Sequence, residues 1–276
     1  MQTTIEKAII ETLQAVRTKK PIVHHLTNYV TVNDCANCVL ELGGSPIMAD
    51  EIEEVEEITA LSSSLVLNIG TINARTLESM IKAGKKAKEL HLPIILDPVG
   101  NGASTYRTQA VKRILEEVGP SVIRGNLSEI RCLAGLTSKT QGVDASQTDK
   151  ETSSEVAREL AKTLARQLNC IVSITGKTDF ISDGNRTLSI HNGHSRLAKV
   201  TGTGCMSTSL VGTCCGATSD LLMATTAGIL CMGLAGELAQ EECSQKGEGS
   251  FHCAILDQIG MLDAKQIAER GKIDVQ

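Results

Sequence analysis

The sequence predicts a three-layer αβα sandwich on a mostly parallel central sheet, an α/β class, and three observations predict it. Short runs that are apolar almost throughout, such as Ser64-Leu65-Val66-Leu67-Asn68-Ile69 and Cys170-Ile171-Val172-Ser173-Ile174-Thr175, have the composition of strands covered on both faces. Longer stretches with helical spacing separate them. Aromatic residues make up only 1% of the chain and glycines number 24, so the core must come from Leu, Ile, Val, Ala and Met with helices close to the sheet. At 276 residues the chain lies within the range of one α/β domain, and a single domain over 1–276 is expected.

The elements follow in order. Ile5, Ala8, Ile9, Leu13 and Val16 recur at helical spacing, so residues 4–18 read as an amphipathic helix. Pro21-Ile22-Val23-His24-His25 reads as a short strand, and Asn28 stands where it would N-cap a helix over 30–42. Strand 64–69 precedes a helix over 73–90, and strand 93–97 precedes one over 106–118. Strands 121–124 and 170–175 come next. The polar residues 137–152 read as a surface excursion, and 180–190 alternates around Asp183-Gly184-Asn185, the pattern of a hairpin at a sheet edge. After Cys205 the chain reads as almost wholly helical to its end.

Composition narrows the function. The net charge of −5 and the lack of clustered Lys and Arg exclude a nucleic-acid surface. Residues 2–18 lack the apolar centre of a secretion signal, and the most apolar window, 221–238, is interrupted by Thr225 and Thr226, so a soluble, cytoplasmic protein without a membrane span is expected. The ten cysteines are scattered through apolar runs and read as buried free thiols. Cys35 and Cys38 have zinc-like spacing, but no second pair completes four ligands.

In open parallel sheets ligands bind beyond the carboxyl ends of the strands, which makes strand-ending polar residues the candidates. One strand ends Asp97-Pro98-Val99-Gly100, another ends Arg124-Gly125-Asn126 with Glu129 a turn later, and a third ends Thr175-Gly176. Asp97 and Glu129 are hard oxygen ligands of the kind Mg²⁺ accepts when substrate phosphates complete its shell. Asp97 as a turn cap and Glu129 as a first-turn helix acid remain open alternatives. Gly202-Thr203-Gly204-Cys205 places bare backbone N–H groups at a helix start, an anion hole with a thiol at its mouth. Together these point to a nucleoside triphosphate site. No Gly-x-x-x-x-Gly-Lys-Ser/Thr or strand-linked Gly-x-Gly-x-x-Gly is present, so neither a P-loop nor a dinucleotide dehydrogenase fits.

Several segments, in order, carry a family resemblance: His24-His25-Leu26-Thr27-Asn28, Gly44-Ser45-Pro46-Ile47-Met48-Ala49, Leu67-Asn68-Ile69-Gly70-Thr71, Leu96-Asp97-Pro98-Val99-Gly100, Arg124-Gly125-Asn126 with Glu129, Thr175-Gly176, His191-Asn192-Gly193-His194 and Val200-Thr201-Gly202-Thr203-Gly204-Cys205. The chain resembles the hydroxyethylthiazole kinases of the ribokinase-like superfamily. The resemblance implies ATP-dependent phosphorylation of the hydroxyl of 4-methyl-5-(2-hydroxyethyl)thiazole in thiamine salvage, with Mg²⁺. It implies that Met48 and Gly202 contact the thiazole alcohol with Asn28 in the same pocket, that Arg124, Thr175 and Asn126 lie on the ATP side, and that Asp97 and Glu129 serve Mg²⁺ and phosphate. Without it, Met48 reads equally as a core methionine.

Most ribokinase-like enzymes carry an aspartate where this chain has Cys205, placed to take the proton of the attacking hydroxyl. A thiol at a helix N-terminus is expected to have a lowered pKa and to accept that proton. A loose phosphoryl-transfer transition state acidifies the attacking hydroxyl little, so the catalytic role expected of Cys205 is modest and the amides of Gly202, Thr203, Gly204 and Cys205 matter more. The resemblance also implies a homotrimer with the substrate pocket at the subunit boundary. Two alternatives are a ribokinase-like kinase acting on a pyrimidine alcohol and a cysteine-nucleophile hydrolase pairing Cys205 with His24, His25 or His191. His191 and His194 read as polar turn residues at the nucleotide rim.

Overall fold

The computed structural model describes residues 2–135 and 147–275. Along the chain come α1 (Gln2–Lys19), β1 (Ile22–Leu26), α2 (Val32–Leu42), β2 (Ser45–Ile47), α3 (Val55–Ala60), β3 (Ser64–Asn68), α4 (Ala74–Glu89), β4 (Ile94–Asp97), α5 (Thr105–Glu117), β5 (Val122–Asn126), α6 (Leu127–Leu133), α7 (Gln147–Leu168) and β6 (Ile171–Thr175). They continue with β7 (Asp179–Ser182), β8 (Thr187–Ile190), a 3₁₀ turn (Ser195–Lys199), α8 (Thr203–Ala217), α9 (Leu221–Glu242), α10 (Glu248–Met261), α11 (Ala264–Arg270) and β9 (Ile273–Val275).

These strands form one sheet in the order β2-β1-β3-β4-β5-β6-β7-β8-β9. Every pairing from β2 to β6 is parallel and the three beyond β6 are antiparallel. The order reverses at β1, which has β2 on one side and β3 on the other. Chain crossovers diverge there and leave a crevice above the carboxyl ends of β1 and β3.

The apolar strands feed two cores because successive side chains point to opposite faces. Val66 and Ile95 face α8 and α9, whereas Leu65, Leu67, Ile94 and Leu96 face the layer that holds α4 and α5. Small residues let the first of these layers come close. A Cβ at Gly212 would lie 2.5 Å from Val66 Cγ2, and one at Gly228 would lie 2.6 Å from the Val211 nitrogen. Helix α9 is long and apolar enough to cross a membrane, yet most of it is buried within this core.

The structure corrects several expectations. The 180–190 hairpin forms as β7 and β8, but it is not at the edge, because β9 pairs with β8 outside it. That terminal strand also breaks the helical run expected after Cys205. Both edge strands, β2 and β9, span three residues, too short for a period-two pattern to be seen. Residues 147–152 of the supposed excursion open α7, and 137–146 lie outside the described residues. Asn28 does not cap α2. Thr31 holds the N-cap position, and Asn28 Oδ1 instead accepts from the Thr31 N–H at 3.1 Å and the Thr31 hydroxyl at 3.1 Å, closing the loop before the helix.

Candidate active site

The strand ends from β1 to β6 converge with the start of α8. Register sets Asn68, the last residue of β3, opposite Asp97, the last of β4, and Asn126 opposite Thr175. Asp97 is fully buried. Its Oδ2 accepts from Thr208 Oγ1 at 2.7 Å and Asn68 Nδ2 at 3.0 Å and lies 3.9 Å from Arg124 Nη1, while its Oδ1 has no partner. Burial pushes the Asp97 carboxyl up to about 6, against the pull of Arg124, Thr208 and Asn68.

Arg124 reaches from β5 towards the first turn of α8. Its Nη2 donates to Thr175 Oγ1 at 2.6 Å, and its buried Nε has no partner. A Cβ at Gly204 would lie 2.9 Å from Arg124 Nη1, so the glycine admits the guanidinium against the helix start. Gly202 holds φ +94°, the left-handed turn that opens α8, and a Cβ there would lie 2.6 Å from Thr31 Cγ2. Thr203 and Gly204 of this first turn line one cleft with Arg124, at a helix N-terminus whose free amides suit an anion.

Glu129 and Asn126 form a capping box at α6. Glu129 Oε2 accepts from the Asn126 N–H at 2.8 Å and Asn126 Oδ1 accepts from the Glu129 N–H at 2.9 Å, while Glu129 Oε1 accepts from the Gly100 N–H at 2.9 Å. Glu129 thereby ties the β4 and β5 ends together. Among the described residues no three His, Cys, Asp or Glu side chains gather as a protein-only metal cage. The donor set suits an ion that takes one or two carboxylates and completes its shell from phosphate oxygens, and Asp97 Oδ1 is the unpartnered oxygen that would meet it.

Cys205 lies half-buried one turn into this start, with Asn28 Nδ2 3.4 Å from its sulfur. The expected acidic thiol is not found. Burial, followed by the charge of Asp97, raises the Cys205 pKa, outweighing the hydrogen bonds from Thr31, Asn68 and Asn28. A helix N-terminus favours the thiolate, but here burial and the nearby Asp97 carboxylate oppose it and prevail.

Two clefts flank this centre. One of about 670 Å³ is lined by Arg124, Thr175, Asp179, His191, His194 and Gly204. A smaller one of about 230 Å³ on the other side is lined by Thr27, Tyr29, Met48 and Thr71. A third, mostly apolar hollow of about 630 Å³ shares Thr175, Gly176, Lys177 and His191 with the first and adds Ile174 and Phe180. Arg124, Thr175 and Gly204 thus line one cleft together, whereas Met48 lines the smaller one, which shares no lining residue with it. The histidines proposed as bases for a hydrolase are engaged elsewhere. His24 contacts Ala49 O and Thr59, His25 contacts Val23 O and Ser209, and His191 contacts Thr178 and Asp274. Burial lowers the His25 pKa to about 4, so it is neutral.

Sequence reasoning passed over Asn68, Thr208 and Asp179. Asn68 ended a strand as Asp97 does, and the same rule would have selected it. Asp179, whose Oδ1 accepts from the Gly176 N–H at 2.9 Å and whose carboxyl burial pushes up to about 6, stood three residues after Thr175-Gly176 in a polar turn. Thr208 carried no signal, since its partner Asp97 is 111 residues away.

Comparison with known proteins places the chain in a family. Residues 13–265 match the model of the hydroxyethylthiazole kinase family. The chain is 53% identical to the hydroxyethylthiazole kinase of Clostridium beijerinckii over 99% of both chains. A solved hydroxyethylthiazole kinase protein from Pyrococcus horikoshii OT3 is similar at TM-score 0.89 and 40% identity, covering 98% of this chain and 99% of that one. The pyridoxal kinase from Staphylococcus aureus in complex with pyridoxal, 14% identical with TM-score 0.58 over 93% of this chain and 98% of that one, shares the fold alone. This chain has the ribokinase-like fold and belongs to the hydroxyethylthiazole kinase family.

Proposed function

We propose that this chain, working as one kinase domain in the cytoplasm, transfers the γ-phosphoryl group of ATP to the hydroxyl of 4-methyl-5-(2-hydroxyethyl)thiazole, as its relatives' names indicate. One observation carries the reading: the unpartnered Arg124 Nε and Asp97 Oδ1 belong to side chains 3.9 Å apart at the strand ends, and Arg124 lines the larger cleft together with Thr203 and Gly204 at the start of α8. Buried donors and acceptors without partners are costly unless a ligand satisfies them.

In this reading ATP lies along the larger cleft with its phosphates against Arg124, Thr175, Asn126 and the amides of Gly202 to Cys205. Its base extends into the apolar hollow beside Phe180. The thiazole, neutral and mostly apolar, sits against Met48 and Gly202 with Asn28 turned towards it. Asp97 is the carboxylate that would hold Mg²⁺, and Glu129, whose oxygens are taken by two backbone N–H groups, holds the surrounding loops. Mg²⁺ supplies neutralisation of charge on the transferring phosphoryl group. Arg124 and the α8 amides bind the equatorial oxygens, Met48 and Gly202 hold the hydroxyl in line, and the closed pocket excludes water. Cys205 is a protonated thiol that shapes the acceptor side, and the hydroxyl proton passes late to an oxygen of the transferred phosphoryl group, in keeping with a loose transition state.

We also propose a homotrimer, with a neighbouring subunit closing the acceptor cleft. Tyr29 and Val30 follow Asn28 directly and are 80% and 58% exposed, an apolar rim suited to burial by another copy. The assay is direct: ATP, Mg²⁺ and the thiazole alcohol are combined, and ADP and the phosphate ester are measured by coupled assay and mass spectrometry. Both products are expected in equal amounts. No ADP, together with a hydrolytic activity abolished by thiol alkylation, would overturn the reading.

A further inference from the structure

Asn68 is buried at the centre of the site, 2% exposed at the end of β3, and has no role in the mechanism above. Its amide orientation is fixed by a group that only donates. The Gly70 N–H donates to Asn68 Oδ1 at 2.9 Å, so Nδ2 faces the other way and donates to Asp97 Oδ2 at 3.0 Å. Asn28 is fixed in the same manner, because the Thr31 N–H donates to its Oδ1 at 3.1 Å. Asn28 Nδ2 then supplies one hydrogen to Asn68 Oδ1 at 3.0 Å and one to Cys205 Sγ at 3.4 Å.

Two amides thus link the first turn of α8 to the carboxylate that ends β4: Asn28 donates to both Cys205 and Asn68, and Asn68 donates on to Asp97. A side-chain amide neither gains nor loses a proton near neutral pH, so the series carries geometry rather than protons. There is little slack in it. A Cβ at Gly70 would lie 2.9 Å from the Cβ, Cγ and Nδ2 of Asn28, so the loop after β3 presses Asn28 into place.

We propose that Asn68 is a positioning residue for phosphoryl transfer: it registers Asn28, and through Asn28 the Cys205 thiol, on the acceptor side, against Asp97 on the phosphoryl side. This rests on the kinase reading above. In-line transfer depends on that register, and a misplacement of about 1 Å costs on the order of 100-fold in rate. A residue that only filled space would alter stability without selecting a kinetic step.

The test is initial-rate kinetics with both substrates varied for wild type, Asn68→Ala, Asn68→Asp, Asn28→Ala and the double variant Asn28→Ala/Asn68→Ala, with circular dichroism as a check of folding. Asn68→Ala is expected to lower kcat by roughly 10- to 100-fold while leaving the KM for ATP within about twofold of wild type. Asn68→Asp keeps the shape and the accepting oxygen but loses the N–H to Asp97, and its kcat is expected to fall by at least as much. The double variant is expected to be no slower than the slower of its two single parents, because both changes break one series. A folded Asn68→Asp protein with wild-type kcat would overturn the proposal, and so would multiplicative effects in the double variant. If Asn68→Ala does not fold, the isosteric Asn68→Asp decides. A wild-type chain that forms no thiazole phosphate overturns both readings, whereas an active wild type with an unaffected Asn68→Asp overturns this one alone.

Discussion

Asp97 carries opposing demands, because its carboxyl is buried yet paired with Arg124 at 3.9 Å. Its carboxyl is raised from 3.8 to about 6 by burial, so between those values the folded chain holds a proton that the unfolded chain releases. This group's contribution to stability is therefore fully present below pH 3.8, falls as pH rises from there towards 6, and is level above. The difference amounts to about 3 kcal/mol. Asp97→Asn can place its oxygen where Oδ2 accepts from Thr208 and Asn68, and its NH₂ where Oδ1 has no partner. The variant is expected to be nearly inactive and more stable at pH 7 by up to about that amount, with the gain vanishing near pH 4. Urea denaturation at the two pH values, without nucleotide or metal, measures it; an equal gain at both would contradict burial as the cause. Cys205 differs, because burial raises its thiol pKa and favours the protonated form. Cys205→Ala is expected to lower kcat by less than the ~100-fold that marks the low end for a general base, and Cys205→Asp to keep clear activity. Complete loss in Cys205→Asp would show that the thiol does more than this.

At the scale of elements, the start of α8 is the decisive piece. Gly202 at φ +94° lets the chain turn into the helix while Thr31 packs where a side chain would be. Gly202→Ala therefore combines left-handed backbone strain with a contact of 2.6 Å, and a loss of about 1–3 kcal/mol is expected together with loss of turnover. A thermal melt and a kinetic assay on the same preparation check it; normal activity would mean that the turn is not required for the anion hole. Much of this element was legible, since Gly-x-Gly before small apolar residues announces a bare helix start. Strands β3 and β4 were legible too, because apolar runs buried on both faces leave little else for Leu65 to Leu67 or Ile94 to Leu96 to do. The edge strands β2 and β9 were not, since three residues acquire strand geometry from a neighbour's register.

For the whole molecule, the exposed pair Tyr29 and Val30 beside the acceptor cleft makes assembly part of the proposed site. Light scattering is expected to give three times the 29.3 kDa chain mass, and Tyr29→Glu to weaken assembly and raise the KM for the thiazole more than that for ATP. A monomer with full activity would exclude an intersubunit pocket. The sequence by itself determined the layered αβα class, the strand ends that carry Asp97, Arg124, Asn126 and Thr175, and the glycine-opened helix start, because each follows from local pattern and the geometry of parallel sheets. Tertiary structure alone decided that Thr208 and Asn68 share Asp97, that Asn28 spans from Asn68 to Cys205 instead of capping α2, and that the thiol is raised. Those outcomes depend on which residues distant in sequence meet in a buried, poorly solvated space, and pairwise electrostatics there is set by distance and burial, neither of which is written in local sequence.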